Sequence, residues 1–414
     1  MVTQSISDNF QGGIIKGHGR KHCGYLAIEF ENIDIEIDEI KQWISVFSEL
    51  ITTVGKQNTQ RENKDELPLE THYNIAFGRE MFQSTNHDES KIGKSPFPSD
   101  LVGDHELTVV LQYNPGERQN LYISSGIHIV IIVANEKLKK VNDAITEIKH
   151  NLQDRTISFN SSEIIANKMS NSISGSKDSF GPLGFLDGIS NPNDDDTEDL
   201  VLHDGDDFGP SSFMVIANFK RNGTHFEEQV DDIVTNMYHN FEDRSDDLKE
   251  KLKEHCSAML MGRYKNGNTL YRDTPNFSPE DFAGDPTGST CPLAAHVRIS
   301  REVSKGNNRI VRRGMPYHLT STNDKGLIFV SYQKDILKQI VPLINAMKAR
   351  RDFVTYSKTD DFNTTPVLFH PMPNISESQP YEKEIKDFKT TILLGATYMF
   401  LPSVSYLRGL SPVL

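Results

Sequence analysis

Two stretches of this chain run in the same order, a β-branched strand feeding into an amphipathic helix. Residues 127–148 read IHIVIIVANEKLKKVNDAITEI, and residues 327–347 read LIFVSYQKDILKQIVPLINAM. Runs of Ile, Val and Phe favour extended backbone, because branched side chains pack well on a pleated surface. The apolar residues that follow recur at three and four positions, which gathers them on one helical face. Two such units in separate halves suggest two related α+β domains. Any single α+β domain also contains strand–helix pairs, so the echo leaves that alternative open. The length of 414 residues accommodates either.

Pattern extends the reading along the chain. Residues 39–54 have helical spacing, 58–70 are polar and read as a loop, and 107–113 and 121–134 read as strands. A helix is expected over 137–152, a long polar loop over 154–180, and a strand over 213–219. Residues 226–261 read as mostly helical, interrupted near 243–247.

Composition excludes several classes of function. The chain has 44 basic and 58 acidic residues, a formal net charge of −14. Phosphate contacts need a basic face, so a nucleic-acid partner is not expected. The longest apolar run, 127–134, is broken by His128 and is far short of the ~20 residues that span a bilayer. The opening MVTQSISDNFQGG lacks a basic start followed by an apolar stretch. A cytoplasmic protein is therefore the expectation. Cys23, Cys256 and Cys291 are odd in number, have no CxxC spacing, and read as reduced thiols.

Three stretches carry candidate chemistry. In FGPLGFLDGISNP (180–192), Gly184, Gly188 and two prolines constrain a loop that contains Asp187. Asp-Gly is a common turn, but a carboxylate packed among apolar residues would be desolvated and drawn toward proton exchange. In CPLAAHVR (291–298), His296 follows small apolar residues and reads as inward-facing, which is more often a satisfied core histidine than a metal ligand. No HxH or HExxH lies nearby, which disfavours zinc. One imidazole is enough for haem, where the porphyrin supplies the other nitrogens. In NRIVRRGMPYH (308–318), three arginines form either a surface patch or a fixed cation aimed at developing negative charge.

Together these stretches resemble the dye-decolourising peroxidase family. GFLDG matches its GxxDG signature, CPLAAHVR looks like its proximal-histidine segment, and RRGMPY looks like its distal-arginine segment. QGGIIKGHGR, MGRYKNG, GLIFVSYQ and TTILLGATYMFLPS agree as well, so the resemblance spans nearly the whole chain. It implies an α+β fold of two ferredoxin-like domains with antiparallel sheets and peripheral helices, of the dimeric α+β barrel type. The expected division is 1–180 and 181–414, with haem b held mainly by the second part.

Carried over residue by residue, the resemblance makes His296 the iron ligand, and Asp187 and Arg312 the catalytic pair on the opposite face. Arg312 rather than Arg313 matches, as the first arginine of RRG. Gly184, Gly188, Leu327, Phe329 and Arg298 are further expected cofactor contacts. Leu327 and Phe329 alternate on one strand and so share a face. The implied reaction is reduction of hydrogen peroxide, with Asp187 moving the proton, Arg312 stabilising the charge, and small organic reductants returning the electrons.

A carboxylate behind His296 is expected, with Glu384 the first candidate and Asp387 the second. Two departures bear on the haem propionates: the segment after His296 lacks an Asn-Pro-Arg step, and IANFKRN (216–222) lacks an arginine where many relatives carry one. Both put Arg298 in doubt. Bulky reductants would need surface aromatics. Trp43 reads as a packing residue, and Tyr332 lies on the strand beside the distal residues. Exposed sheet edges make a homodimer an expectation. A haem carrier or iron-releasing protein, and a cofactor-free α+β protein, are the competing readings.

Overall fold

The computed structural model describes residues 9–15, 17, 19–31, 71–82, 94–99, 101, 123–124, 126–153, 158–168, 180–189, 191–205, 207–238, 245–270, 282–288, 290–350, 352, 366–369, 381–384 and 390–410. Four strands come from the first half: β1 (His22–Phe30), β2 (His72–Gly78), β3 (Ile129–Asn135) and β4 (Phe159–Asn167). The second half adds β5 (His203–Gly205), β6 (Gly209–Arg221), β7 (Val311–Arg312), β8 (Met315–Leu319) and β9 (Asp324–Gln333). β10 (Pro366–Phe369) and β11 (Tyr381–Glu384) form a separate ribbon, and β12 (Thr391–Leu401) follows. The main sheet runs β4-β1-β3-β2-β12-β6-β9-β7, with β5 beside β6 and β8 beside β9. Its pairings are antiparallel.

Alternation along these strands sets the architecture, because successive side chains leave on opposite faces. Tyr25, Ala27, Val130, Ile132, Ile216 and Val330 meet in one buried cluster. Those residues come from both halves, so the sheet curls and its two wings face each other, with β4 approaching β8. The alternate residues, such as Leu26, Ile131, Val215 and Ala217, belong to an outer cluster covered by helices.

Helix α1 (Leu138–Gln153) buries Val141, Ala144, Ile145, Ile148 and Leu152 on that outer face. Short helix α2 (Asp194–Val201) follows the glycine-rich loop. Helices α3 (Gly223–Tyr238) and α4 (Asp246–Met261) pack as a pair around Phe226, Val230, Leu252 and Cys256. Helix α5 (His296–Val303), helix α6 (Val341–Ala349) and helix α7 (Val404–Leu410) complete the described set. Between β9 and α6 the backbone makes one π-helical turn, Ile336–Ile340, started by Asp335, whose carboxylate accepts from the N–H of Lys338 at 3.0 Å. The echo in the sequence is therefore real in both halves: β3 feeds α1, and β9 feeds α6.

Two expectations are corrected. The expected loop at 154–180 contains β4, which pairs with β1 along its whole length. It is a half-buried edge strand, so polar Asn160, Ser161 and Ser162 occupy it without breaking it. The strand expected over 121–134 begins at Ile129. The expectations over 39–54, 58–70 and 107–113, and with them Trp43, lie outside the described residues, as does Asp387. Among the described residues no helix is long and apolar enough to cross a membrane.

Candidate active site

The FGPLGFLDG loop is held by its own backbone and by its apolar side chains. The N–H of Gly181 donates to Phe185 O at 2.8 Å, and that of Leu186 to Lys265 O at 3.0 Å. Leu183 and Phe185 sink into the α3–α4 cluster, where Phe185 meets Phe226 edge-on at 5.9 Å. Gly184 and Gly188 take φ of +79° and +82°, a region that penalises any side chain. Burial of the two apolar residues leaves Asp187 at the loop's rim.

His296 is the first residue of α5. The preceding turn closes with the N–H of Ala295 on Pro292 O at 3.0 Å. Gly262, the left-handed cap of α4, lies so close that an added Cβ would sit 3.1 Å from Val297 Cβ. This close approach seats the start of α5 against α4. His296 Nδ1 lies 2.6 Å from Oδ2 of Asp352, whose side chain is wholly buried. The acid behind the histidine is thus Asp352, three residues past the end of α6, rather than Glu384 or Asp387. Glu384 falls in β11, outside the main sheet. The partner was not legible because it lies 56 residues from His296, brought there by the α5–α6 packing.

Two adjoining compartments open beside His296. The larger is walled by Val215, Ala217 and Phe219 of β6, Leu327 and Phe329 of β9, and Ile340, Leu343, Ile344 and Met347 from the π turn and α6. Leu327 and Phe329 do share that face, as alternation requires. The smaller lies under the glycine-rich loop and is lined by Asp187, Gly188, Arg263 and Leu186. Arg312, His296, Arg221, Val297 and Leu327 border both.

The three arginines of NRIVRRG separate. Arg309 borders the large compartment and pairs with Asp196 at 3.1 Å. Arg312 faces both compartments. Its neighbour Arg313 leaves β7 on the other side and donates from Nη2 to Ile15 O at 2.8 Å. Asn191 of the ISNP step clamps the backbone of Arg312, accepting from its N–H at 3.1 Å and donating to its carbonyl at 3.0 Å. That clamp ties the glycine-rich loop to β7.

Several expectations change at this level. Asp187 is exposed, and its Oδ1 accepts from the N–H of Gly188 at 2.7 Å. The flanking residues therefore do not bury it: Leu183 and Phe185 sink into the α3–α4 cluster, while Leu186 lines the small compartment beside it. Gly184 borders neither compartment and serves the turn alone, its N–H on Gly181 O at 2.9 Å. Arg298 also borders neither. It is buried and donates to Asp285 Oδ2 at 3.0 Å, Asp285 O at 2.7 Å, Cys291 O at 2.6 Å and Glu302 Oε1 at 3.0 Å. It locks the loop before α5 in place.

The cavity arginines are instead Arg221, Arg301, Arg309 and Arg312, with Arg263 in the small compartment. Arg221 ends β6, so IANFKRN does supply an arginine to the site, at the last strand position. Burial pulls its guanidinium down to about 10, opposed by the charge of Asp352. Burial also pulls Arg263 to about 10, helped by repulsion from Arg301 and Arg312. Arg301 lies in the segment just after His296 and Arg263 in MGRYKNG, but nothing in either spacing marks them as facing a cavity.

The donor set fits a haem. One carboxylate-held imidazole faces an apolar slot, and arginines line its border to meet acidic side arms. Among the described residues no group of three His, Cys, Asp or Glu is placed to hold a bare metal ion.

Comparison with known proteins agrees. Residues 181–365 match the family model described as Dyp-type peroxidase, C-terminal. The dye-decolorizing peroxidase msp1 of Mycetinis scorodonius is 23% identical over 411 residues, covering 82% of this chain and 76% of its own. A deferrochelatase of Yersinia pestis is 34% identical, over 83 residues and 19% of each chain. The crystal structure of an Anabaena sp. DyP-type peroxidase superposes with a TM-score of 0.73 at 18% identity, covering 99% of this chain and 95% of that one. A decolorizing peroxidase from Auricularia auricula-judae superposes with a TM-score of 0.69 at 17% identity, covering 97% and 99%. With the motifs on one cavity, the fold matched end to end and residues 181–365 matched to the C-terminal family model, the chain is similar to the Dyp-type peroxidases in both sequence and fold.

Proposed function

We propose that the cavity holds one haem b, with His296 as the iron ligand, and that the chain reduces hydrogen peroxide at the expense of small organic reductants. The observation that carries this reading is the 2.6 Å contact between His296 Nδ1 and Asp352 at the wall of an apolar slot. A carboxylate on Nδ1 fixes the tautomer, turns Nε2 toward the iron and raises its basicity. Leu327, Phe329, Val215 and Ala217 would pack against the macrocycle, while Arg221, Arg301 and Arg309 would meet its carboxylate arms. This passes to those three the role first expected of Arg298. Residues 181–414 form the haem-binding half, and residues 1–180 its companion.

When bound, the haem supplies the electrons that split the O–O bond and recovers them from the reductant. Asp187 takes the proton from one peroxide oxygen and returns it to the other. Arg312 stabilises the negative charge that builds on the leaving oxygen. The Asn191 clamp holds Arg312 in register with the loop that carries Asp187.

An absorbance spectrum before and after one equivalent of peroxide tests the reading. The haem-loaded protein should show a Soret band that changes rapidly with peroxide and returns when a phenol is added. His296→Ala should lose the band. A stable band with no response to peroxide would favour a haem carrier or iron-releasing protein, and no band after ample haem supply would refute the proposal.

A further inference from the structure

Helix α5 and the end of α6 are joined by more than the His296–Asp352 contact. Glu302, six residues after His296, accepts from Nε of Arg298 at 3.0 Å and from Nη1 of Arg350. Arg298 is buried, fixed by Asp285 and Cys291, and lies over the Phe282 ring at 5.1 Å. Glu302 therefore stands on a rigid support. Arg350 ends α6, its N–H on Ala346 O at 2.9 Å, and Asp352 follows two residues later. The contacts close a ring: His296 along α5 to Glu302, across to Arg350, along the chain to Asp352, and back to His296 Nδ1.

Two residues of chain reach at most ~7 Å. The place of Arg350 against α5 therefore limits where the Asp352 carboxylate can go. Asp352 lies outside any helix, with its N–H on Met347 O at 2.9 Å. The ion pair itself is part-exposed, Arg350 at 37% and Glu302 at 21%. A pair screened to that degree adds little to global stability. Its effect is on geometry, where a small displacement of a charged hydrogen bond matters.

We propose that Glu302 and Arg350 are positioning residues that hold Asp352 against His296 and so set how strongly the imidazole donates to the bound iron. This rests on His296 being the iron ligand. Asp352→Asn provides the reference, because it removes the carboxylate charge outright and should move the iron's midpoint potential to more positive values. Glu302→Gln and Arg350→Gln should each move the potential in the same direction, and the double variant should move it no further than either single one. Arg350→Lys, which keeps the charge, should restore much of the wild-type value. In the cofactor-free chain, the His296 Nδ1 proton should be protected from exchange by NMR in the wild type and exposed in both Gln variants. Melting temperatures should change little.

Wild-type potentials and wild-type Nδ1 protection in both Gln variants, with Asp352→Asn shifted, would overturn the proposal. So would additive shifts in the double variant. If wild type and Asp352→Asn share one potential, or if His296→Ala keeps the wild-type spectrum, the failure belongs to the assignment of His296 as ligand.

Discussion

Replacing Asp352 with alanine removes the acceptor that lies 2.6 Å from His296 Nδ1. The Asp352 side chain is wholly buried and His296 is 23% exposed, so solvent screens the contact weakly. A hydrogen bond to a charged group contributes about 1.5–3 kcal/mol. That corresponds to about 10- to 100-fold in haem affinity, the range known for partners behind a metal-binding histidine. The space vacated by the carboxylate admits water, which can accept from Nδ1 and places the expectation toward the lower end. Arg221 also loses the charge that supports it in its buried setting, so the cofactor-free fold should lose stability as well. Titrating the cofactor-free chain with haemin at the Soret maximum measures the first effect, and thermal unfolding measures the second. Asp352→Asn separates charge from hydrogen bonding, since its amide oxygen can still accept, and its affinity should fall between wild type and Asp352→Ala. Unchanged affinity and spectrum in both variants would show that the contact does not tune a metal ligand.

Asp187→Asn should keep haem bound yet slow the first spectral change with peroxide by about 10²- to 10⁴-fold, the usual worth of a positioned acid–base group; stopped-flow rates equal to wild type would remove Asp187 from the reaction. Asn191→Ala deletes both bonds to the Arg312 backbone, so peroxide reactivity should drop while haem affinity holds, with about 1–3 kcal/mol lost from stability by denaturant titration. Arg298→Gln strands Asp285 in a buried position and should destabilise the fold by about 3–5 kcal/mol, shown by chemical denaturation, without the selective loss of haem expected of a propionate contact. Burial pushes the Cys23 thiol up to about 12, so the folded chain keeps that proton after the unfolded chain has lost it. Stability from this source is intact below the ordinary thiol range and falls as pH rises toward 12; Tyr25 and Tyr332, raised by the same burial, add to the slope. Cys23→Ala should flatten the alkaline loss of stability measured by denaturant titration.

Local pattern determined a good deal of this protein. The period-2 and helical spacings placed β3, α1, β6, β9 and α6, because alternation and amphipathicity are written residue by residue. The ordered motifs around Asp187, His296 and Arg312 named the residues that meet at the cavity, and the step between Arg312 and Arg313 decided which of them faces it. Edge strand β4 was not legible, since a half-buried strand carries few apolar residues to mark it.

The rest depended on distance in sequence. Asp352 reaches His296 across 56 residues, and Asn191 reaches Arg312 across 121. Nothing in either local sequence records that approach; only the packing of α6 on α5 and the return of the glycine-rich loop to β7 create it. Burial decided the arginines in the same way. Arg298 carries the same charge as Arg221 and Arg301, but helix phase turns it onto Asp285 and away from the slot. The sequence by itself supplied the chemistry, and the tertiary structure decided which charges face one another, because electrostatic partners are selected by proximity in space and a chain of 414 residues offers many candidates for each.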